Sequence, residues 1–176
     1  MAAHTVARNS ETIETMTDDA DQRAFKKTLG HFPTGVTVVT ARRADGEPVG
    51  LTVNSFTSVS LVPPLILWCL GNESPNLPVF EQANYFAVNI LGADQGWLSN
   101  QFARPIEDKF TDVRWSEGRF GVPIIEGTVG QLICSTFDRH PGGDHRIYLG
   151  RVEDLQTPGG EPLVYMGGQY QQVKGG

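Results

Sequence analysis

The chain has 176 residues, of which 39% are hydrophobic, 9% aromatic and 19% charged. That length suits one domain able to bury about 70% of its unfolded surface without a disulfide or metal staple, and the composition excludes a disordered chain, a collagen-like fibre and a coiled coil. A net charge of −6 and a pI of about 5.1 argue against a nucleic-acid binder, which needs a basic face, and the longest apolar run, Leu65 to Leu70, is strand-sized and excludes a transmembrane helix.

Residues 1–20 read as a flexible acidic leader, and 21–176 as the folded domain. From Met1 to Gln22, Glu11, Glu14, Asp18, Asp19 and Asp21 face only Arg8, so most of the net charge lies there. A short helix follows. Asp18 or Asp19 can cap it, Phe25 and Leu29 share a face, Lys26 and Lys27 suit its last turn, and Gly30 stops it. After Gly35 the period changes to two: Val36, Val38 and Thr40 alternate with Thr37, Val39 and Ala41. Asp45-Gly46 is a hairpin turn, and Pro48 to Asn54 is the returning strand. Leu65 to Leu70, between Pro63-Pro64 and Gly71, predicts a strand buried on both faces, and Tyr85 to Leu91 another strand. Asp94 to Ala103 predicts a helix capped by Asp94, with Trp97, Leu98 and Phe102 on one face. Strands over Gly127 to Asp138 and His145 to Leu155 follow, and Pro158-Gly159-Gly160 turns into a last strand, Leu163 to Met166. Short connections favour antiparallel pairing, and closure into a barrel would remove exposed edges.

Cys69 and Cys134 lie far apart in apolar segments, with no CxxC, and read as buried small hydrophobes. The N-terminus lacks a secretory pattern, which suggests a cytoplasmic, reducing compartment. GxGxxG, Walker A, HExxH and GxSxG are absent, and His140 and His145 make a poor metal pair across a Pro-Gly-Gly loop. No metal site is expected, so redox chemistry would need a bound organic cofactor.

Four segments carry short polar groups or cations. Thr52-Val53-Asn54-Ser55-Phe56-Thr57-Ser58-Val59-Ser60 is rich in neutral donors and acceptors that could line the edge of a heteroaromatic ring, or decorate a solvent-facing strand and turn. In Asn72-Glu73-Ser74-Pro75-Asn76, Ser74 or Asn76 can cap a helical turn whose free N–H groups suit a phosphate, or simply cap it. Arg104 and Lys109, the latter beside Phe110, could grip phosphate or stay solvated. Gly142-Gly143-Asp144-His145 could let backbone pass close to a flat ligand and present an imidazole, or be an ordinary turn.

Together with Phe32-Pro33-Thr34-Gly35-Val36-Thr37-Val38-Val39-Thr40, Asn54 to Pro64, Tyr85-Phe86-Ala87-Val88-Asn89-Ile90-Leu91, Lys109-Phe110 and Gly143-Asp144-His145 leading into Gly150-Arg151-Val152, the chain resembles the flavin reductase family over about residues 21–172. These are the small reductase components of two-component flavin-dependent monooxygenases. The resemblance implies a mainly β, split β-barrel fold, usually a homodimer, that binds FAD or FMN and NADH, or less readily NADPH. It also implies that Thr34, Thr52, Asn54, Ser55, Ser58 and Ser60 line the flavin, with Ser74 and Asn89 nearby and Lys109 and Phe110 near a phosphate. Gly143, Asp144 and His145 would contact the nicotinamide nucleotide, with Tyr170 closing that site. The implied reaction is hydride transfer between stacked rings, with His145 as the residue at the chemistry, orienting the nicotinamide. The nicotinamide segment offers only Arg139 and Arg146 for a 2′-phosphate, with Asp138 and Asp144 close by, which favours NADH. The reduced flavin would leave for an oxygenase, by diffusion. The rivals are a split-barrel oxidase that keeps its flavin and a non-catalytic flavin-binding module.

Overall fold

The computed structural model describes residues 19–173. The expected leader lies outside them, except Asp19 and Ala20, which begin the first helix. In chain order the elements are α1 (Asp19–Leu29), β1 (Thr34–Gly35), β2 (Thr37–Arg42), β3 (Pro48–Val53), β4 (Thr57–Leu61), β5 (Pro64–Gly71), α2 (Leu77–Gln82), β6 (Tyr85–Ile90) and α3 (Gly96–Ala103). They continue with β7 (Trp115–Glu117), β8 (Pro123–Ile125), β9 (Gly130–Gly142), β10 (His145–Gln156), β11 (Val164–Met166) and β12 (Gln169–Gln171). The short strands β4, β7, β8 and β12 were not expected from periodicity, because three to five residues carry too little pattern.

Seven strands form one antiparallel sheet in the order β3-β2-β6-β9-β10-β5-β4. The sheet curls until β3 approaches β5, but no ladder joins them, so the barrel is split rather than closed. The seam is bridged by a side chain: Ser55 Oγ accepts from the Cys69 N–H (2.9 Å) and donates back to the Cys69 carbonyl (3.4 Å). A second small sheet, β1-β11-β12, pairs Thr34 with Tyr165 and sits beside α3, where the Tyr170 hydroxyl donates to Asn100 (3.0 Å).

The inward face of β5 supplies Ile66, Trp68 and Leu70 to the core. Trp68 stacks on Tyr148 of β10 with centroids 4.5 Å apart, and meets Phe80 and Phe86 edge-on. At Gly150 a side chain is excluded, since a Cβ would stand 2.5 Å from Phe86 Cζ. The outward residues Leu65, Leu67 and Cys69 are only half-buried. The expectation of a strand covered on both faces is therefore corrected: an antiparallel sheet has one packed face, and among the described residues no second layer covers the other. Cys134 is buried as expected, whereas Cys69 is not fully so.

Two helix readings also change. Gln95, not Asp94, precedes α3, and it acts through its carboxamide, accepting from Gly92 N–H (2.9 Å) and donating to the Glu126 carbonyl (3.1 Å). Leu98 and Phe102, four apart, are buried, while Trp97 is rotated off that face and exposed. In α1, Phe25 and Leu29 share a face that is half-exposed.

Candidate functional site

The seam gathers most of the polar segments. Thr37 pairs with Val53, so the chain just before β2 and just after β3, which holds Thr34 and Asn54, meets at one end of that ladder. Ser55 carries this end onto Cys69. Two residues further along β5, Gly71 pairs with His145 at the first position of β10. Asn72 then donates its N–H to the Asp144 carbonyl (2.9 Å) and its Nδ2 to the Gly143 carbonyl (3.0 Å). Thus Thr34, Asn54, Ser55, the Asn72–Ser74 loop and Gly143–His145 border one region, although they are spread over a hundred residues of sequence.

The electrostatics there are mild. His145 Nδ1 lies 2.7 Å from Asp144 Oδ1. That bond, more than the charge on the imidazole, holds the Asp144 carboxyl below the usual carboxylate range. His145 Nε2 lies 3.9 Å from the position a Cβ on Gly71 would take, so the missing side chain keeps the surface beside the ring open. Burial pushes the Cys69 thiol pKa up, while the bond from Ser55 pulls it down.

A separate cleft of about 980 Å³ runs along the outer end of β3, between Pro48–Gly50, Asn76 and the loop carrying Lys109 and Phe110. Lys109 Nζ donates to the Phe102 carbonyl at the end of α3 (2.8 Å), and burial lowers its pKa. Phe110 packs edge-on against Phe102 and Trp115. Thr52 joins the two regions, donating through Oγ1 to the Ser99 carbonyl of α3 (2.7 Å).

The structure assigns some expected ligand contacts to the chain itself. Asn89 is fully buried: Nδ2 donates to the Val38 carbonyl (3.0 Å) and Thr40 Oγ1 (3.1 Å), while Oδ1 accepts from Ile125 N–H (2.9 Å). This corrects its placement beside a flavin, since the carboxamide is spent joining β2, β6 and β8. Ser74 Oγ accepts from Asn76 N–H (3.3 Å), a local turn, and Asn76 makes no side-chain cap on α2. Tyr170 packs on Tyr165 and across Gly96 rather than on Gly143–His145. Arg139 donates to the carbonyls of Phe80 (3.2 Å) and Ala83 (2.8 Å), and Arg146 Nε lies 3.0 Å from Glu81 Oε1, so each guanidinium already has a partner within the chain. Gly71 and Asn72 were missed as site residues. Gly71 read only as a strand boundary, and nothing in one sequence marks Asn72 as the residue that ties two loops.

Other groups remain uncommitted. Asn54 and Ser58 are exposed and their side chains make no hydrogen bond, and the Thr34 hydroxyl is enclosed without a partner. These neutral donors and acceptors fit the polar edge of a flavin, whose ring nitrogens and oxygens want such partners. Among the described residues no group of three or more His, Cys, Asp or Glu side chains could hold a metal ion, and no helix is long and apolar enough to cross a membrane.

Residues 29–174 match the model of the flavin reductase like domain. The chain belongs to the flavin reductase family. It is 44% identical over 150 residues to the FMN reductase (NADH) SmoA of Agrobacterium fabrum, covering 85% of each chain. It is 41% identical over 148 residues to the reductase component of the flavin-dependent trigonelline monooxygenase of Acinetobacter baylyi, covering 84% of this chain and 48% of that protein. The chain therefore spans about half the length of that relative, and likewise 48% of a probable flavin reductase of Rhizobium meliloti. Among solved structures, the Streptomyces globisporus NADH:FAD oxidoreductase SgcE6, in complex with NAD and FAD fragments, superposes with a TM-score of 0.84 at 38% identity, covering 91% of this chain and 97% of that one.

Proposed function

We propose that this chain is an NADH-dependent flavin reductase that passes a hydride from NADH to FAD or FMN and supplies the reduced flavin, by diffusion, to a partner flavin-dependent monooxygenase. The observation that carries the reading is the seam itself: Ser55 on Cys69 brings the polar end of β3 within two residues of the Gly71–His145 pair. Relatives that share this chain's length or domain are named as NADH-dependent reductases of FMN or FAD, or as reductase components of monooxygenases.

When bound, the flavin supplies the hydride acceptor. The chain's own work is placement. Thr34, Asn54, Ser58 and Ser60 offer neutral hydrogen-bond partners to the ring edge, and Ser55 and Thr52 hold the strand that presents them. The cleft at Lys109 and Phe110 takes the phosphate-bearing tail, once Lys109 releases the Phe102 carbonyl. Gly143, Asp144 and His145 receive the nicotinamide, and His145 orients it. No side chain has to give or take the hydride, so the rate depends on alignment of the two rings. NADH is preferred because Arg139 and Arg146 are committed within the chain. A homodimer in the cytoplasm completes the proposal, with exposed Phe25, Leu29, Phe32, Leu61 and Val62 as apolar surface for the second copy to cover.

Absorbance at 340 nm tests the reading: purified protein with NADH and added FAD or FMN oxidises NADH with multiple turnovers and does not retain the flavin on desalting. No oxidation with either flavin contradicts it. A yellow protein that keeps its flavin and consumes oxygen directly would instead make it an oxidase, and flavin binding without turnover a carrier.

A further inference from the structure

We propose that Asn72 and Asp144 are positioning residues that hold the His145 imidazole in the tautomer with a bare Nε2, an acceptor at the open surface beside Gly71. This rests on the reading of His145 as the nicotinamide contact.

The β5–β10 ladder ends at the Gly71–His145 pair, and the two chains then separate into loops. Asn72 prevents them from drifting apart. Its N–H and Nδ2 hold the carbonyls of Asp144 and Gly143, the two residues of the turn that precedes His145. Gly143 has φ of +72°, so the turn uses a backbone conformation that favours glycine. With its backbone fixed on both sides, Asp144 presents Oδ1 at 2.7 Å from His145 Nδ1.

An ionised carboxylate can only accept a hydrogen bond. Asp144 is held below the usual carboxylate range, first by the bond from His145 and last by the charge of Lys26 in α1, so it is ionised at neutral pH. Nδ1 must then carry the proton. In the neutral form of the ring, which has a single N–H, Nε2 is then left without one. That nitrogen lies 3.9 Å from the place of the missing Gly71 side chain, on the surface that Gly71 leaves open. A bare Nε2 there accepts from a primary amide, the group the nicotinamide ring carries. In the other tautomer the same atom is a donor and takes that amide's carbonyl oxygen instead, so the tautomer decides which way the amide faces. The carboxylate therefore acts on the substrate only through the imidazole, and Asn72 acts only through the turn.

The test uses the full chain with 15N-labelled histidine, His145→Ala serving to assign the resonance, together with steady-state kinetics against NADH. In the neutral form of the ring, reached by raising the pH in a titration, the expected wild-type spectrum shows a protonated Nδ1 and an unprotonated Nε2. In Asp144→Ala the ring nitrogens exchange roles, and KM for NADH rises by about two- to tenfold, the range of one net hydrogen bond, with a much smaller change in kcat. Asn72→Ala moves KM in the same direction by less, because its backbone bond survives. Asp144 is 94% exposed in its side chain, so the melting temperature of Asp144→Ala stays near wild type and a folding defect does not imitate the result. A protonated Nε2 beside an unprotonated Nδ1 in the neutral ring of the wild type overturns the proposal. So does an unchanged KM in Asp144→Ala when His145→Ala raises it. If His145→Ala itself leaves KM unchanged, the nicotinamide reading of His145 falls first, and the positioning role with it.

Discussion

The interior of the barrel and its open seam use the same kinds of residue to opposite ends. Inside, the buried carboxamide and hydroxyl that join β2, β6 and β8 are consumed by the chain: Asn89 makes three bonds, and Thr40 Oγ1 donates to the Pro123 carbonyl (2.5 Å) while accepting from Asn89. At the seam, Asn54 and Ser58 make no side-chain bond and Thr34 is left without a partner. Packing rigidity in the first region keeps the second in register without filling it. A residue's type therefore says little about its role here; whether the fold has already satisfied it says much more.

The contrast can be broken most severely at its rigid side. Trp68→Ala removes a ring that touches Tyr148, Phe80 and Phe86 and should cost about 3–5 kcal/mol, read as a large fall in melting temperature. A loss below about 1 kcal/mol would mean that the barrel does not depend on this stack. Next comes a matched pair. Asn89→Ala strands the Ile125 N–H and should destabilise by about 1–3 kcal/mol, whereas Asn54→Ala should leave stability within about 0.5 kcal/mol and weaken flavin binding instead. Equal stability losses at both positions would erase the distinction between the two regions.

Alkaline titration probes the interior more gradually. Burial, assisted by Glu153, pushes the Cys134 thiol from 9.0 to about 12, and burial, assisted by Glu81, pushes the Tyr148 hydroxyl from 10.0 to about 12. The folded chain thus keeps protons that the unfolded chain releases. Their contribution is intact below about pH 9 and is lost as pH rises from about 9 to 12. Denaturant midpoints should fall across that window, and a flat or rising profile would contradict the burial of these groups. The smallest effect belongs to the seam: Thr34→Val removes a hydroxyl with no partner, so stability should hold or rise slightly while the flavin Kd weakens by about two- to tenfold. An unchanged Kd would remove Thr34 from the flavin contacts.

Much of this was legible in the sequence. Period-two alternation placed β2, and Asp45-Gly46 placed the hairpin that returns as β3. The hydroxyl-rich segment and Gly143-Asp144-His145 were recognisable as polar segments. What alternation could not show was their meeting, since that depends on how far the sheet curls and on one serine reaching across the gap to a residue 14 positions further along the chain. Asn89 misled because a carboxamide that joins three strands looks in sequence like one that binds a ligand. Leu65 to Leu70 misled because a fully apolar run hides which of its faces is covered.

The most direct measurement is a crystal structure of the protein grown with FAD and NAD. The account places both rings at the seam, the flavin edge on Thr34, Asn54 and Ser58 and the nicotinamide beside Gly71 with its amide at His145 Nε2. Rings bound on separate faces, or a flavin lying wholly in the Lys109 cleft and out of reach of His145, would contradict it.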